Sequence, residues 1–196
     1  MIRALLGTLA LTGSALAAMP GMDHGQMGPA PATMPGMATG STPAMMKSMG
    51  DQMVRELTPL RGRAFDVRFA QRMADHHQMA IDMARMEVRG GKDARVKASA
   101  QKVIADQQRE IALMKGWIKT WTGQSYTPKS MAMAHGGSAD RWFLEGMIPH
   151  HVGAIAMAKL VPTRTQSAPV RALATAIIKA QQAEIDQYTG WLRAMK

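Results

Sequence analysis

Residues 65–119 of this chain align with residues 139–193 at a constant offset of 74 residues without a gap, and 20 of the 55 aligned positions are identical. Alanine-rich segments of this kind agree by chance at about a tenth of positions. The chain is therefore an internal duplication, and whatever fold one half adopts the other adopts too. The shared positions are particular ones. Phe69, Met73, His76-His77, Ala80-Ile81 and Met83-Ala84 return as Phe143, Met147, His150-His151, Ala154-Ile155 and Met157-Ala158. Further along, Gln107-Gln108, Glu110-Ile111 and Gly116-Trp117 return as Gln181-Gln182, Glu184-Ile185 and Gly190-Trp191.

Each repeat has helical periodicity. The first helix runs from Asp66 to about Val88, and Gly90-Gly91 stops it. Asp93 caps a second helix that runs to about Trp121. A loop follows, Thr122 to Gly137, containing Pro128. The third helix spans Ser138 to about Val161, with Pro162 as its stop, and the fourth starts near Ser167 and runs to the C-terminus. Two antiparallel hairpins close most simply into an all-α four-helix bundle whose halves are related by a pseudo-two-fold axis. The expected organisation is a signal peptide over residues 1–18, a flexible Met/Gly/Pro-rich tail over 19–63, and the bundle over 64–196.

Composition narrows the chemistry. Methionine accounts for 20 of 196 residues and cysteine is absent, so soft-metal binding has only thioether and imidazole to use. The N-terminus has one Arg, a short apolar run and Ala15-Leu16-Ala17, the pattern of a cleaved secretory signal. This makes the mature protein periplasmic or secreted, with no transmembrane segment after cleavage. A net charge of +10 would raise the question of nucleic acid. Export and the scatter of the basic residues argue against it, so no nucleic-acid partner is expected. In the tail, Met19, Met22, His24, Met27, Met34 and Met37 are spaced so that a flexible chain can wrap several thioethers round one ion. The loop adds Met131, Met133 and His135.

Successive side chains on a helix turn by about 100°. Phe69, Met73 and Ala80 then define the inward stripe of the first helix. His76 and Met83 lie on one flank of it and His77 on the other. Met73 reaches both histidines at i+3 and i+4. Met79 extends the first flank in the first repeat only, because Gly153 stands at the matched place. Methionine on a helical face is ordinary core filler. Two adjacent histidines in each repeat are not, since a buried imidazole needs partners for both nitrogens. The ligand set read from the sequence is Met73, His76, His77, Met83, Met147, His150, His151 and Met157. Met19, Met22, His24, Met27, Met34, Met37, Met79, Met131, Met133 and His135 form a secondary set. Thioether favours Cu(I) and imidazole Cu(II), which makes copper the expected ion and Ag(I) an alternative guest. Glu110 and Glu184, each with a glutamine one turn earlier, are placed to orient the imidazoles from behind or to fix the bundle's register. Asp66 and Asp140 are read as caps of their own helices. Pro149 removes one backbone hydrogen bond beside His150.

The motif Phe-x3-Met-x2-His-His-x2-Ala-Ile-x-Met-Ala, followed by Gln-x2-Glu-Ile and Trp, occurs twice over roughly residues 64–194. In this it resembles the domain of unknown function 305 family, with its CopM-like exported copper-binding members. The resemblance implies a ferritin-like four-helix bundle, Met and His ligands, and a part in copper tolerance and homeostasis. The reading that follows is a periplasmic protein that sequesters copper or delivers it to a copper-trafficking partner, and not an enzyme. Two others stay open. A metal-dependent oxidase of the ferritin-like type would use several Glu and a Glu-x-x-His motif, and this chain has no Glu-x-x-His. A non-catalytic methionine-rich oxidative-stress or interaction protein would use its thioethers as an oxidation sink.

Overall fold

The computed structural model describes residues 41–131, 133 and 136–195. Five helices account for most of them: α1 (Thr42–Leu57), α2 (Gly62–Gly90), α3 (Ala94–Thr122), α4 (Ala139–Arg164) and α5 (Ala168–Ala194). The expected all-α hairpins are α2–α3 and α4–α5. Each packs along its length, and the two meet through α2 against α4.

The stretch expected to be tail holds a helix over residues 42–57, a correction to the 19–63 boundary. Composition hid it, because Met and Gly dominate the segment. The signal was nevertheless present: Pro43 in the first turn, then Met46, Gly50, Met53 and Leu57 at i, i+4, i+7 and i+11, all buried. Residues 19–40, with Met19, Met22, His24, Met27, Met34 and Met37, lie outside the described residues. Two boundaries also shift. α2 begins at Gly62, and α4 continues through Pro162 to Arg164, ending where the Thr165 N–H bonds the Val161 carbonyl at 3.2 Å. Proline late in a helix forfeits one bond without ending the helical backbone there.

α1 packs on α4 and only lightly on α2. The approach is backbone to backbone, and a Cβ on Gly50 would come within 2.9 Å of Gly153 Cα. Trp142 Nε1 donates to Thr42 Oγ1 at 3.0 Å, and Arg72 Nε meets Glu56 Oε2 at 2.6 Å, which ties α1 to both long helices. We expect Gly153→Ala to loosen α1. Its Cβ would lie 3.0 Å from Gly50 Cα and 3.2 Å from His76 Nε2. The overpacking cost of ~1–3 kcal/mol exceeds the gain of about 1 kcal/mol in helix propensity. Gly116→Ala, with nothing near its Cβ, is the control and should stabilise. Thermal unfolding of the two variants checks this, and a Gly153→Ala protein as stable as Gly116→Ala would refute it.

The apolar interior is in two parts, each built from all the long helices. One contains Phe65, Phe69, Met73, Ile111, Met114, Met157, Val161 and Ile177, with Met53 and Leu57 from α1. The other contains Met79, Met83, Val96, Val103, Phe143, Leu144, Met147 and Tyr188, with Met46 from α1. Each large side chain buried here contributes roughly 1.5–3 kcal/mol. The four histidines belong to neither part and form a polar layer between them. Trp117 stacks on Trp121 at one edge, and Trp191 lies against Tyr188 at the other.

Asp140 corrects a further expectation. Its carboxylate does not cap α4, where Ser138 accepts from the Arg141 N–H. It instead accepts the backbone N–H groups of Lys92, at 3.0 Å, and Asp93, at 2.9 Å, in the turn that starts α3. The start of the second hairpin thereby caps a helix of the first. Asp66 pairs with Arg63 at 3.5 Å, and its other carboxylate oxygen has no partner.

Candidate functional site

The duplication brings the two His-His steps together at the α2–α4 contact. His76 and His150 face each other across the pseudo-dyad, with ring centroids 3.7 Å apart and planes tilted by 32°. Both are buried. His77 and His151, one residue on, point away from this pair toward α3 and α5 and are completely covered. There His77 Nε2 meets Glu110 Oε2 at 2.5 Å, and His151 Nε2 lies 2.9 Å from Glu184 Oε2. The helix-wheel placement of the two histidines on opposite flanks is thus realised, and each flank has its own partner.

The nitrogens are used unequally. The His150 Nε2–H donates to the His76 carbonyl oxygen at 2.9 Å. His77 and His151 direct Nε2 at carboxylates. In all three rings Nδ1 is buried without a partner, in His76 both ring nitrogens are, and His151 Nε2 lies close to Glu184 without hydrogen-bond geometry. An Nε2 held by a carboxylate or carbonyl carries the proton, which leaves the Nδ1 lone pair bare. Bare buried acceptors cost about 1–3 kcal/mol each. This is the arrangement in which a carboxylate or carbonyl fixes the tautomer of a metal-ligating imidazole from behind.

Electrostatics keep the lone pairs available. Burial, reinforced by the neighbouring imidazoles, pushes His76 and His150 well below the ordinary histidine range, so both are neutral at physiological pH. Burial also raises the Glu184 carboxyl. The His151 contact and the Lys102 ammonium outweigh that effect, and Glu184 is net lowered and ionised.

Thioethers flank the layer on both sides. Met73 and Met157 lie in one half of the interior, and Met83 and Met147 in the other. All four are fully buried. The Met83 methyl fills the space that a side chain on Gly146 would occupy. Among the described residues no three His, Asp or Glu side chains converge to hold a metal. Of the secondary set, Met79 is buried and Met131 and Met133 are half-buried, while His135 lies outside the described residues. Met46 and Met49, which composition assigns to the Met-rich tail, lie instead on α1, and the sequence reading missed Met53 and Tyr188, whose ring stacks on His151 at 5.9 Å and whose hydroxyl pairs with Ser99 Oγ at 2.8 Å.

Known proteins resemble the chain in ways that fit this arrangement. The profile of the family described as Domain of unknown function (DUF305) matches residues 2–118, 66–141 and 140–196, the last two falling on the two repeats. CopM in its silver-bound form is 37% identical, with a TM-score of 0.62 over 66% of this chain and 96% of that one. CopM has also been solved in Cu(I)-bound and Cu(II)-bound forms, at 36% and 37% identity and TM-scores of 0.61 and 0.62, covering 66% and 67% of this chain and 96% and 98% of theirs. A DUF305 fragment from Deinococcus radiodurans is 25% identical, with a TM-score of 0.59 over 69% of this chain and 99% of the fragment. An uncharacterised protein of Acanthamoeba polyphaga mimivirus, L153, is 44% identical over 57 residues, 29% of this chain, and the match spans only 38% of that relative's length.

Proposed function

The chain belongs to the DUF305 family, and from that premise we propose that it is an exported copper-binding protein that sequesters copper or hands it to a trafficking partner. The observation that carries the reading is the set of bare Nδ1 lone pairs on His77, His150 and His151, each with its Nε2 directed at an oxygen, beside the unpartnered His76 ring. Met73 and Met157 on one side, and Met83 and Met147 on the other, supply the soft donors that retain Cu(I) or Ag(I). The imidazoles supply what Cu(II) prefers. Glu110 and Glu184 orient the outer imidazoles and balance the charge of the ion. The likeness to CopM, solved with copper and with silver, supports the same cargo. No reaction is required of the layer for it to hold an ion. Export rests on the N-terminal sequence pattern. Among the described residues no helix is long and apolar enough to cross a membrane.

The oxidation-sink reading is disfavoured by burial. Met73, Met83, Met147 and Met157 are fully buried, whereas a sacrificial thioether must meet its oxidant.

The test is an anaerobic Cu(I) titration of the full mature chain against a chelator of known affinity. It is repeated with His76, His77, His150 and His151 all replaced by Gln. The variant should bind at least about a hundredfold more weakly, by analogy with losses at supported metal ligands. Equal affinity in the two proteins would remove the histidine layer from the function.

A further inference from the structure

The two repeats differ most instructively where α1 lies. Arg72 and Met79 on α2 correspond, at the offset of 74, to Gly146 and Gly153 on α4. The glycines give α1 its seat: Gly50 touches Gly153, and Thr42 approaches Gly146. On α2 the same places carry long side chains, which hold α1 off. A groove of about 320 Å³ remains between α1, α2 and the segment that joins the hairpins.

Its walls are thioethers from three elements: Met49 and Met53 of α1, Met79 of α2 and Met131 of the joining segment. That segment is pinned in place. Asp75 accepts from the Tyr126 hydroxyl at 2.8 Å and the Lys129 N–H at 2.9 Å, and Ser130 Oγ donates to Asp82 at 2.6 Å. Met131 is thereby fixed over the groove. At the rim Arg72 bridges Glu56 and Asp75, and Lys129 also lines the groove, so two carboxylates stand against a guanidinium and an ammonium and the thioethers are left as the donors. Ordinary core methionine packs against apolar neighbours on all sides. These four instead edge an opening to solvent, with Met49 and Met131 half-buried. Met79 stands one helical turn from His76, so the groove abuts the histidine layer.

We propose that this groove is a second, external site for a soft monovalent cation, Cu(I) or Ag(I), held by the thioethers of Met49, Met53, Met79 and Met131. It is separate from the buried layer, and it rests on the copper reading only for the identity of the ion. Neutral sulfur donors favour soft monovalent ions and give little to Zn(II). The repeat asymmetry makes the site single, because the matching face of α4 is closed by α1.

The probe is Ag(I), which does not change oxidation state. The full chain, labelled with ¹³C at the methionine methyls, is titrated while the methyl resonances are followed. Those of Met49, Met53, Met79 and Met131 should move and saturate, and Zn(II) should leave them in place. The variant Met49→Leu/Met79→Leu/Met131→Leu keeps side-chain volume and should bind one Ag(I) fewer than the parent. The His76→Gln/His150→Gln protein should still show the Met49 and Met131 shifts. Movement confined to Met73, Met83, Met147 and Met157 would overturn the groove and leave the buried centre standing. Movement confined to the groove would support it and overturn the buried centre. No movement anywhere would overturn both.

Discussion

Replacing His76 with leucine should make the metal-free protein more stable and the copper-binding protein worse. Both ring nitrogens of His76 are buried without a partner, and the ring is 1% exposed. An unsatisfied buried polar group costs about 1–3 kcal/mol. Leucine has a similar volume and no such debt. The variant should therefore gain on the order of 1–3 kcal/mol in urea unfolding of the apo form, a rise in Tm of several degrees for a chain of this size. Its Cu(I) affinity should fall by at least about a hundredfold in the same preparation. Opposite signs in stability and binding distinguish a ligand from a residue kept for the fold. An apo form destabilised by more than about 1 kcal/mol, opposite in sign to the gain expected from removing an unsatisfied buried group, would mean that the imidazole is structural.

The second large effect is at the far end of the layer's own helix. Glu87 is 0% exposed, at the last turns of α2. Its Oε1 lies 1.9 Å from where a side chain on Gly91 would begin, so a larger residue there would have to displace the Glu87 carboxyl. Burial, and then the adjacent Asp140 carboxylate, push Glu87 up to about 7; Asp93 adds to the rise and the Lys97 ammonium opposes it. The folded-state value is thus above the unfolded one. Folding takes up a proton, so stability is fullest in acid, falls as pH climbs from about 4.5 to 7, and levels off beyond. That rise from 4.5 to about 7 corresponds to ~3 kcal/mol at pH 8. Glu87→Gln is neutral throughout. It should match the parent near pH 4.5 and exceed it by ~2–3 kcal/mol at pH 8, measured by urea unfolding at both values. A gap that does not change with pH would show that Glu87 titrates in the ordinary range. The matched residue in the second repeat is Val161, so the fold itself does not ask for an acid at this place.

Much of this was legible in the sequence, and for a physical reason. Helical period and the repeat offset are properties of the chain read locally. They gave the four long helices, the hairpins, and His76 and His77 on opposite flanks of one stripe. Glu110 and Glu184 were found because they recur at the same offset, and the structure brings each to a histidine. What the sequence left open depends on how the hairpins dock. A helical wheel cannot say that His76 meets His150 while His77 and His151 turn away, since that follows from the α2–α4 crossing. Nor can it say that Asp140 caps α3, a contact between residues 48 apart. α1 was missed for a different reason. Its stripe of Met46, Gly50, Met53 and Leu57 was periodic, but Met and Gly carried the pattern, and they read as low complexity. Gly50 looks like a break in a helix until Gly153 is seen against it.

Each part of the apolar interior draws on α2, α3, α4 and α5 together. One repeat on its own therefore has half of two cores and the whole of neither. The surface complementary to a lone α2–α3 hairpin is the α4–α5 hairpin, which is nearly a copy of it. A single-repeat ancestor would have met that need by self-association, two copies joined about a true two-fold axis with one histidine stacked on its own twin. Within one chain the two halves need not match: Arg72 and Met79 are long on one side where Gly146 and Gly153 are small on the other, and α1 packs on the face that the glycines leave open.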